Sequence, residues 1–158
     1  MIQKCHAPYL SVKSFHLPYD AKPAEFALAK KEFKAAGLTV LSGGNIDLKG
    51  DDATLRAMFE YAKAAGFPTI VCAPSHETVG AVEKLVKEYN IRAAIHNHGP
   101  EDKEFPSPQS VLDAVKNMDP RMGLCIDIGH TARTGADIVE SVAKAGPRLF
   151  DMHVKDLS

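Results

Sequence analysis

One short phrase recurs three times along this chain of 158 residues, and it constrains the fold more than any other feature. It reads Glu-Phe-Lys-Ala-Ala-Gly at 32–37, Tyr-Ala-Lys-Ala-Ala-Gly at 61–66 and Val-Ala-Lys-Ala-Gly at 142–146. A glycine just past a helix adopts the left-handed conformation at little cost, and a lysine one turn earlier suits the negative end of the helix dipole. Each phrase therefore predicts the end of a helix before a strand.

The predicted strands are short apolar runs that alternate with these helices. There are six of them, at 10–15, 38–41, 69–72, 91–95, 122–126 and 149–154. Continuous rather than alternating apolarity is typical of strands covered on both faces. The intervening segments have helical periodicity, and capping residues precede three of them, namely Asp51 or Asp52, Ser107 and Asp137. This alternation predicts one α/β domain over residues 1–158 with a parallel sheet.

The number of strands leaves two architectures open. A complete barrel of eight strands takes about 250 residues, so six strands predict either an incomplete (β/α)8 barrel or an open doubly wound sheet. Gly43-Gly44, directly after the second apolar run, predicts either a close approach of the backbone to a ligand or a plain turn.

The overall composition disfavours several classes of protein. Nineteen Lys plus Arg against 20 Asp plus Glu give a net charge of −1, without the basic stripe that nucleic-acid binding requires. Three scattered cysteines, Cys5, Cys72 and Cys125, predict reduced core thiols rather than disulfides or a zinc clip. No segment approaches the roughly 20 apolar residues of a membrane helix. We therefore expect a cytoplasmic protein with neither nucleic acid nor membrane as a partner.

Histidines concentrate where the predicted strands end. Five of the seven lie at or just beyond a strand end, and His76 lies in the loop after the third run; the five are His16, His96, His98, His130 and His153. The carboxyl ends of parallel strands meet at one edge of the sheet, where α/β proteins place their active sites. The histidines are therefore expected to converge at that edge.

Three local phrases combine these histidines with other polar groups: Ile-His-Asn-His-Gly-Pro at 95–100, Cys-Ile-Asp-Ile-Gly-His at 125–130 and Asp-Met-His-Val-Lys-Asp at 151–156. Burying Asp127 as a free carboxylate would be costly, and a divalent cation would remove that cost. Imidazole with carboxylate suits Mn²⁺, Mg²⁺, Co²⁺, Fe²⁺ or Zn²⁺, and the sequence does not choose among them. Strand alternation points His96 and His98 to one side and Asn97 to the other.

These phrases resemble the xylose isomerase-like TIM barrel superfamily, which includes sugar phosphate isomerases and epimerases, inosose dehydratase and endonuclease IV. The Asp-x-Gly-His phrase at 127–130 and the His-x-Lys-Asp phrase at 153–156 are similar to the sixth and seventh strand ends of that family. The resemblance covers the whole chain. It implies a (β/α)8 barrel with one divalent metal, for which Asp127 and His153 are ligands.

The chain departs from the family pattern in two ways. His96 stands where the fifth strand of the family ends in a glutamate, so an imidazole replaces the carboxylate as the third expected metal ligand. The chain also begins at what resembles the second strand and stops just past the seventh. We therefore expect an incomplete barrel, truncated at both ends, in which six units resemble strands two to seven. Two open sheet edges predict possible homo-oligomers.

The resemblance implies chemistry on a small carbohydrate. Its leading form is a metal-dependent isomerase or epimerase of a sugar or sugar phosphate that acts through a metal-stabilised enediolate. The rivals are a dehydratase of a keto-polyol or keto-sugar, an inactive barrel fragment, and a repair enzyme similar to endonuclease IV, which would need three metals and basic loops. The candidates for proton transfer are His98, His130 and Lys155, and the candidates for substrate contact are Lys13, His16 and Asn97.

Overall fold

The computed structural model describes residues 6–156 and contains one parallel sheet of six strands. The strands are β1 Tyr9–Val12, β2 Thr39–Leu48, β3 Thr69–Pro74, β4 Arg92–His96, β5 Met122–Asp127 and β6 Leu149–His153. They lie in sequence order, each parallel to the next. A doubly wound sheet would reverse its strand order at a switch point, so the predicted incomplete (β/α)8 barrel is confirmed and the open doubly wound alternative is wrong.

The sheet curls strongly across its width. The Ser42 hydroxyl on β2 donates to the Asp151 carboxylate on β6 at 2.7 Å, although three strands separate β2 from β6. Within the described residues, β1 pairs only with β2 and β6 only with β5. The sheet is therefore a half-barrel with two edges, and association of chains through those edges stays a prediction.

Helices cover the convex face of this sheet. They are α1 Pro23–Ala35, α2 Asp52–Ala65, α3 Val79–Tyr89, α4 Pro108–Val115, α5 Ile128–Arg133 and α6 Ile138–Ala145, followed by a 3-10 turn at Gly146–Arg148. The predicted caps are confirmed, since the side chains of Asp51, Ser107 and Asp137 each accept the backbone N–H three residues later. None of the described helices is both long and apolar enough to cross a bilayer.

The recurring glycine phrase ends a helix at each of its three positions. Gly37 and Gly66 have φ angles of 68° and 79°, as the left-handed ending requires. Gly146 has φ 49° with ψ −127°, outside the left-handed helical region, because the chain enters the 3-10 turn there. The predicted helix ends are confirmed, and the predicted backbone conformation is confirmed at two of the three.

The lengths of the first two strands differ from the prediction. β1 ends at Val12 rather than at 15, and β2 continues to Leu48 through Gly43-Gly44. A Cβ on Gly43 would lie 2.3 Å from the Phe67 ring, and one on Gly44 would lie 2.1 Å from the Val71 carbonyl oxygen. The two glycines therefore permit tight packing inside a strand, and of the two alternatives predicted for this pair the plain turn is wrong.

The buried side chains form two separate clusters. The larger cluster fills the space between the sheet and the helices, and includes Phe59, Ile70 and Leu124. The smaller one lies apart from it and consists of Val71, Ala94 and Cys125, with Phe150 packed against them. Cys72 and Cys125 are free buried thiols, as predicted, and Cys5 lies outside the described residues. The smaller cluster fills the concave interior below the strand ends.

The packing of β6 against β5 yields a first testable prediction. A Cβ on Gly123 would lie 2.4 Å from the Phe150 ring and 2.5 Å from the Arg148 carbonyl oxygen. Gly123→Ala is expected to lower the free energy of unfolding by about 2–3 kcal/mol, because β6 must move to admit the methyl group. Urea denaturation would measure this. Gly80→Ala in α3, with open space around it, is the control and is expected to stabilise by about 0.5–1 kcal/mol; equal effects would contradict the prediction.

Candidate metal centre

Three adjacent strands bring His96, Asp127 and His153 to the same end of the sheet. Each is the last residue of its strand, β4, β5 and β6 respectively. His96 Nε2 lies 3.3 Å from Asp127 Oδ2, and the His96 and His153 rings are 4.6 Å apart between centroids. Asp127 and His153 are direct partners in the β5–β6 pairing. The structure therefore brings the predicted ligands into one cluster.

A bulge between β5 and β6 produces this alignment. Leu124 pairs with Leu149, whereas Cys125 pairs with Asp151, so Phe150 is an extra residue on the β6 side. Without the extra residue, Asp127 would face Met152, and His153 would lie one position beyond the end of β5. The bulge thus places an imidazole opposite the buried carboxylate.

Asp127 is held as a buried anion, with a side chain only 2% exposed. Burial alone would raise its pKa, but the backbone N–H of His130 donates to Oδ1 at 2.8 Å and the Lys155 ammonium lies 3.0 Å from Oδ2. These contacts outweigh burial and lower the pKa of Asp127 below its usual value. The carboxylate is therefore also the N-cap of α5, which fixes its position.

The two histidines of the cluster are held in the neutral form that binds metals. Burial, together with the neighbouring His153 and His98, lowers the pKa of His96 to about 3. Burial and the charge of Lys13 lower the pKa of His153. Nδ1 of His96 is buried and has no hydrogen-bond partner within the described residues. A buried nitrogen lone pair without a donor costs free energy unless a cation binds it, so this donor set fits a divalent metal.

Cys125 joins the histidines, which the sequence analysis did not foresee. One donor atom each from His96, Cys125 and His153 lie within 4.8 Å of one another. Among the described residues this set does not include Asp127, whose Oδ2 contacts His96 and Lys155 instead. The position of Cys125 two residues before Asp127 on one strand was the sequence signal, since alternation places both side chains on one face.

Two of the three predicted proton-transfer residues lie beside Asp127. The Lys155 ammonium is 2.9 Å from Nε2 of His130 and also binds Asp127. Arg133 Nη1 lies 3.1 Å from the other ring nitrogen of His130. Burial, with these two cations, lowers the pKa of His130, although Asp127 opposes the shift. His130 is therefore a neutral base at pH 7, in contact with an ammonium that can supply a proton.

His98 lies on the other flank of His96, with its ring 4.5 Å away between centroids. Its Nδ1 faces Asp102 Oδ2 at 3.1 Å and its Nε2 faces the Asn45 amide at 3.1 Å. Asn45 and Asp102 were missed by the sequence analysis, because one lies in the unrecognised extension of β2 and the other in a loop. Together they fix the orientation of the His98 ring.

The three predicted substrate-binding residues occupy different environments. Lys13 is half-buried, and its positive charge helps to lower the pKa of His153. His16 is exposed, accepts the Lys13 backbone N–H at 3.2 Å and packs its ring at a tilt against Phe15. Asn97 is fully buried, with Oδ1 accepting the Asp127 N–H at 2.9 Å and Nδ2 near the Thr131 hydroxyl at 3.2 Å. Asn97 therefore ties β4 to the start of α5.

The low pKa of His96 predicts how stability depends on pH. In the metal-free folded protein the His96 imidazole stays neutral down to about pH 3, because its pKa is lowered to about 3. In the unfolded chain the same imidazole binds a proton below about pH 6.5. Its contribution to stability is thus complete above pH 6.5 and is lost as the pH falls. Between about pH 5.5 and 4.5 the free energy of unfolding should fall by about 1.4 kcal/mol per pH unit from this residue. Chemical denaturation with chelator, comparing the slopes of wild type and His96→Gln, would test this; equal slopes would contradict it.

The fold and the centre define the class of this protein: a parallel (β/α)-barrel with a histidine and carboxylate centre at the carboxyl ends of its strands. The chain belongs to the xylose isomerase-like TIM barrel family, whose sequence model matches residues 3–158. The resemblance seen in the sequence is thus confirmed. A search of curated proteins gave no significant match.

Individual solved structures share this fold. A putative uncharacterized protein from Parabacteroides distasonis is 32% identical over 89% of the chain, with a TM-score of 0.74. The IolI protein, solved with a bound zinc atom, is 16% identical over 98% of the chain, with a TM-score of 0.75. The 3-keto-D-glucoside 4-epimerase YcjR from E. coli is 11% identical over 85%, with a TM-score of 0.72. Other matches are described as a probable 3-DHS dehydratase and a D-tagatose 3-epimerase-like protein.

The chain spans only part of these proteins. It covers 56% of the Parabacteroides protein and 65% of both IolI and YcjR. These neighbours, which share the barrel fold, include an epimerase, an epimerase-like protein, a probable dehydratase and a protein with bound zinc.

Proposed function

We propose that this chain carries the metal centre of a divalent-metal-dependent isomerase or epimerase of a sugar or sugar phosphate. The observation that supports this most is the convergence of His96, Asp127 and His153 at one strand edge, with Lys155 and His130 in contact beside them. The epimerases among the structural neighbours support the same class of reaction.

Each residue has a distinct role in this proposal. A bound divalent cation would supply positive charge to the oxygens of a keto-alcohol and so lower the energy of its enediolate. His130, whose pKa is lowered, accepts the proton from the carbon next to the carbonyl, or Lys155 does so after passing its own proton to the imidazole. His98, oriented by Asp102 and Asn45, is the other candidate for proton transfer. Return of the proton to the neighbouring carbon isomerises the sugar, and return on the other face epimerises it.

Asn97 takes a positioning role here. Both ends of its buried amide bond residues of the β5–α5 junction, so it holds Asp127 in place without reaching the substrate. Lys13 remains a candidate for binding an anionic or hydroxyl group of the substrate, since its charge lies near His153. His16 is more remote, on the exposed loop after β1.

A dehydratase of a keto-polyol is the second candidate. His130 would remove the same carbon proton, and the Lys155 ammonium beside it would give a proton to the departing β-hydroxyl, which leaves as water. The probable dehydratase among the neighbours has this fold. The two reactions differ only in whether the hydroxyl stays or leaves.

Exchange of substrate protons with solvent tests the proposal without knowledge of the natural substrate. The full chain, loaded with Zn²⁺, Co²⁺ or Mn²⁺ in deuterated water, is incubated with a panel of keto-sugars and keto-polyols with and without phosphate. We expect deuterium next to the carbonyl by NMR, at a rate that falls at least about a hundredfold after chelation. An unsaturated or dehydrated product would favour the dehydratase. A chain that binds no metal, or exchange that survives chelation, would contradict the proposal.

A further inference from the structure

We infer that Cys125 is a ligand of the cation at this centre, which makes the site selective for zinc and cobalt over magnesium and manganese. This inference rests on the proposed metal centre and adds a thiolate to its histidine and carboxylate ligands. The donor set would then include His96, Cys125 and His153, and Asp127 lies beside this set in contact with His96.

The pairing of the strands places the sulfur under the histidines. Cys125 is the direct partner of His96 across β4 and β5, and it precedes Asp127 by two positions on β5. Its Sγ lies within 4.8 Å of a ring nitrogen of His96 and of one of His153. Donor atoms of a tetrahedral zinc site lie about 3.5 Å apart, as bond lengths of about 2.0–2.3 Å require. Closing that gap requires relative shifts of the donor atoms of about 1 Å.

A second observation points independently to a cation here. His96 is 5% exposed, and its Nδ1 is the buried side-chain nitrogen without a hydrogen-bond partner within the described part of the chain. Its other nitrogen already faces Asp127. A buried imidazole nitrogen without a partner is available to bind a cation, and His96 is one of the three residues whose donor atoms lie within 4.8 Å of one another.

The other described thiol shows what a purely structural cysteine looks like in this fold. Cys72 on β3 belongs to the main core under the helices, and its Sγ lies 3.7 Å from the Ala94 carbonyl oxygen. Cys125 instead lies in the small interior cluster, directly below the polar strand ends. Cys72 therefore provides an internal comparison for any experiment on Cys125.

The ligand chemistry determines the choice of metal. When the cation binds, the Cys125 S–H bond breaks, its proton goes to solvent, and the thiolate forms the new bond to the metal. Thiolate and imidazole suit Zn²⁺ and Co²⁺, whereas Mg²⁺ and Mn²⁺ favour oxygen ligands. Removing the sulfur should therefore weaken zinc binding far more than manganese binding.

Cobalt absorption tests the inference directly. When Co²⁺ is added to the full-length metal-free protein, we expect visible d–d bands together with a near-ultraviolet thiolate-to-cobalt charge-transfer band. The charge-transfer band should disappear in Cys125→Ser and persist in Cys72→Ser and Cys5→Ser. Direct metal titrations should show zinc affinity at least about tenfold weaker in Cys125→Ser, with manganese affinity within about twofold of wild type.

The outcomes separate this inference from the proposed function. Cobalt bound with d–d bands but without a charge-transfer band in wild type would overturn the role of Cys125 and leave the centre intact. Persistence of the band in Cys125→Ser would overturn it as well. A wild type that binds no metal at all would contradict the proposed function itself. Since the wild-type spectrum decides the first point, the test does not depend on how well a variant folds.

Discussion

Replacing Asp127 by asparagine is expected to weaken divalent-metal binding by about a hundredfold or more while leaving the fold in place. Loss of a residue that only orients a ligand costs 10–100-fold in metal affinity, and loss of a charged ligand should reach at least the upper end of that range. Asn keeps an oxygen that accepts the His130 N–H, so the cap of α5 survives. Calorimetric titration with Zn²⁺ and Mn²⁺ would measure the loss.

A second aspartate offers a matched control for this experiment. Asp137 is the exposed N-cap of α6 and accepts the Glu140 N–H at 2.8 Å. Asp137→Asn removes the same charge from the same kind of cap, so its metal affinity should equal that of wild type. Equal metal affinity in wild type and Asp127→Asn would show that the Asp127 carboxylate is not a ligand. The proposed metal centre would then have no carboxylate ligand.

Much of the fold could be predicted from the sequence because its signals are local. Helix ends at Gly37 and Gly66 follow from a backbone conformation that glycine adopts cheaply, and the cap at Ser107 follows from three neighbouring residues. The β2 extension could not be predicted, because Gly43 and Gly44 look like a turn until Phe67 and Val71 pack against them. Contacts from β3 and from the segment just before it override the local preference there.

The part of the candidate site that lies at the ends of strands could be predicted from the sequence. His96, Asp127 and His153 end adjacent strands, so a parallel sheet brings them together whatever the loops do. The bulge at Phe150 that aligns His153 with Asp127 has no sequence signal, since pairing register is a property of two strands. Cys125 had a sequence signal in its position two residues before Asp127, but its pairing with His96 appears only once β4 and β5 are aligned, so in the sequence it looked like an ordinary core thiol.

Replacing Lys155 by methionine is expected to strengthen metal binding and to weaken catalysis. The ammonium lies 3.0 Å from Asp127 Oδ2 and 2.9 Å from His130 Nε2. Its positive charge would therefore repel a metal cation bound beside Asp127. Removing its charge should raise metal affinity by about three- to tenfold, a modest gain because Lys155 is 44% exposed. Loss of a proton-transfer group should slow solvent exchange of substrate protons by about 10²–10⁴-fold.

The opposite signs of these two effects distinguish a catalytic lysine from a structural one. A lysine that merely stabilised Asp127 would, when removed, disorder the carboxylate and weaken metal binding and exchange together. Lys144→Met is the matched control, because Lys144 forms an exposed ion pair with Glu140 on α6, and neither quantity should change. Metal titration and deuterium exchange are therefore measured on wild type, Lys155→Met and Lys144→Met. Tighter metal binding together with slower exchange in Lys155→Met alone would show that Lys155 competes with the metal and acts on the substrate. Weaker metal binding in Lys155→Met would assign the residue to positioning Asp127.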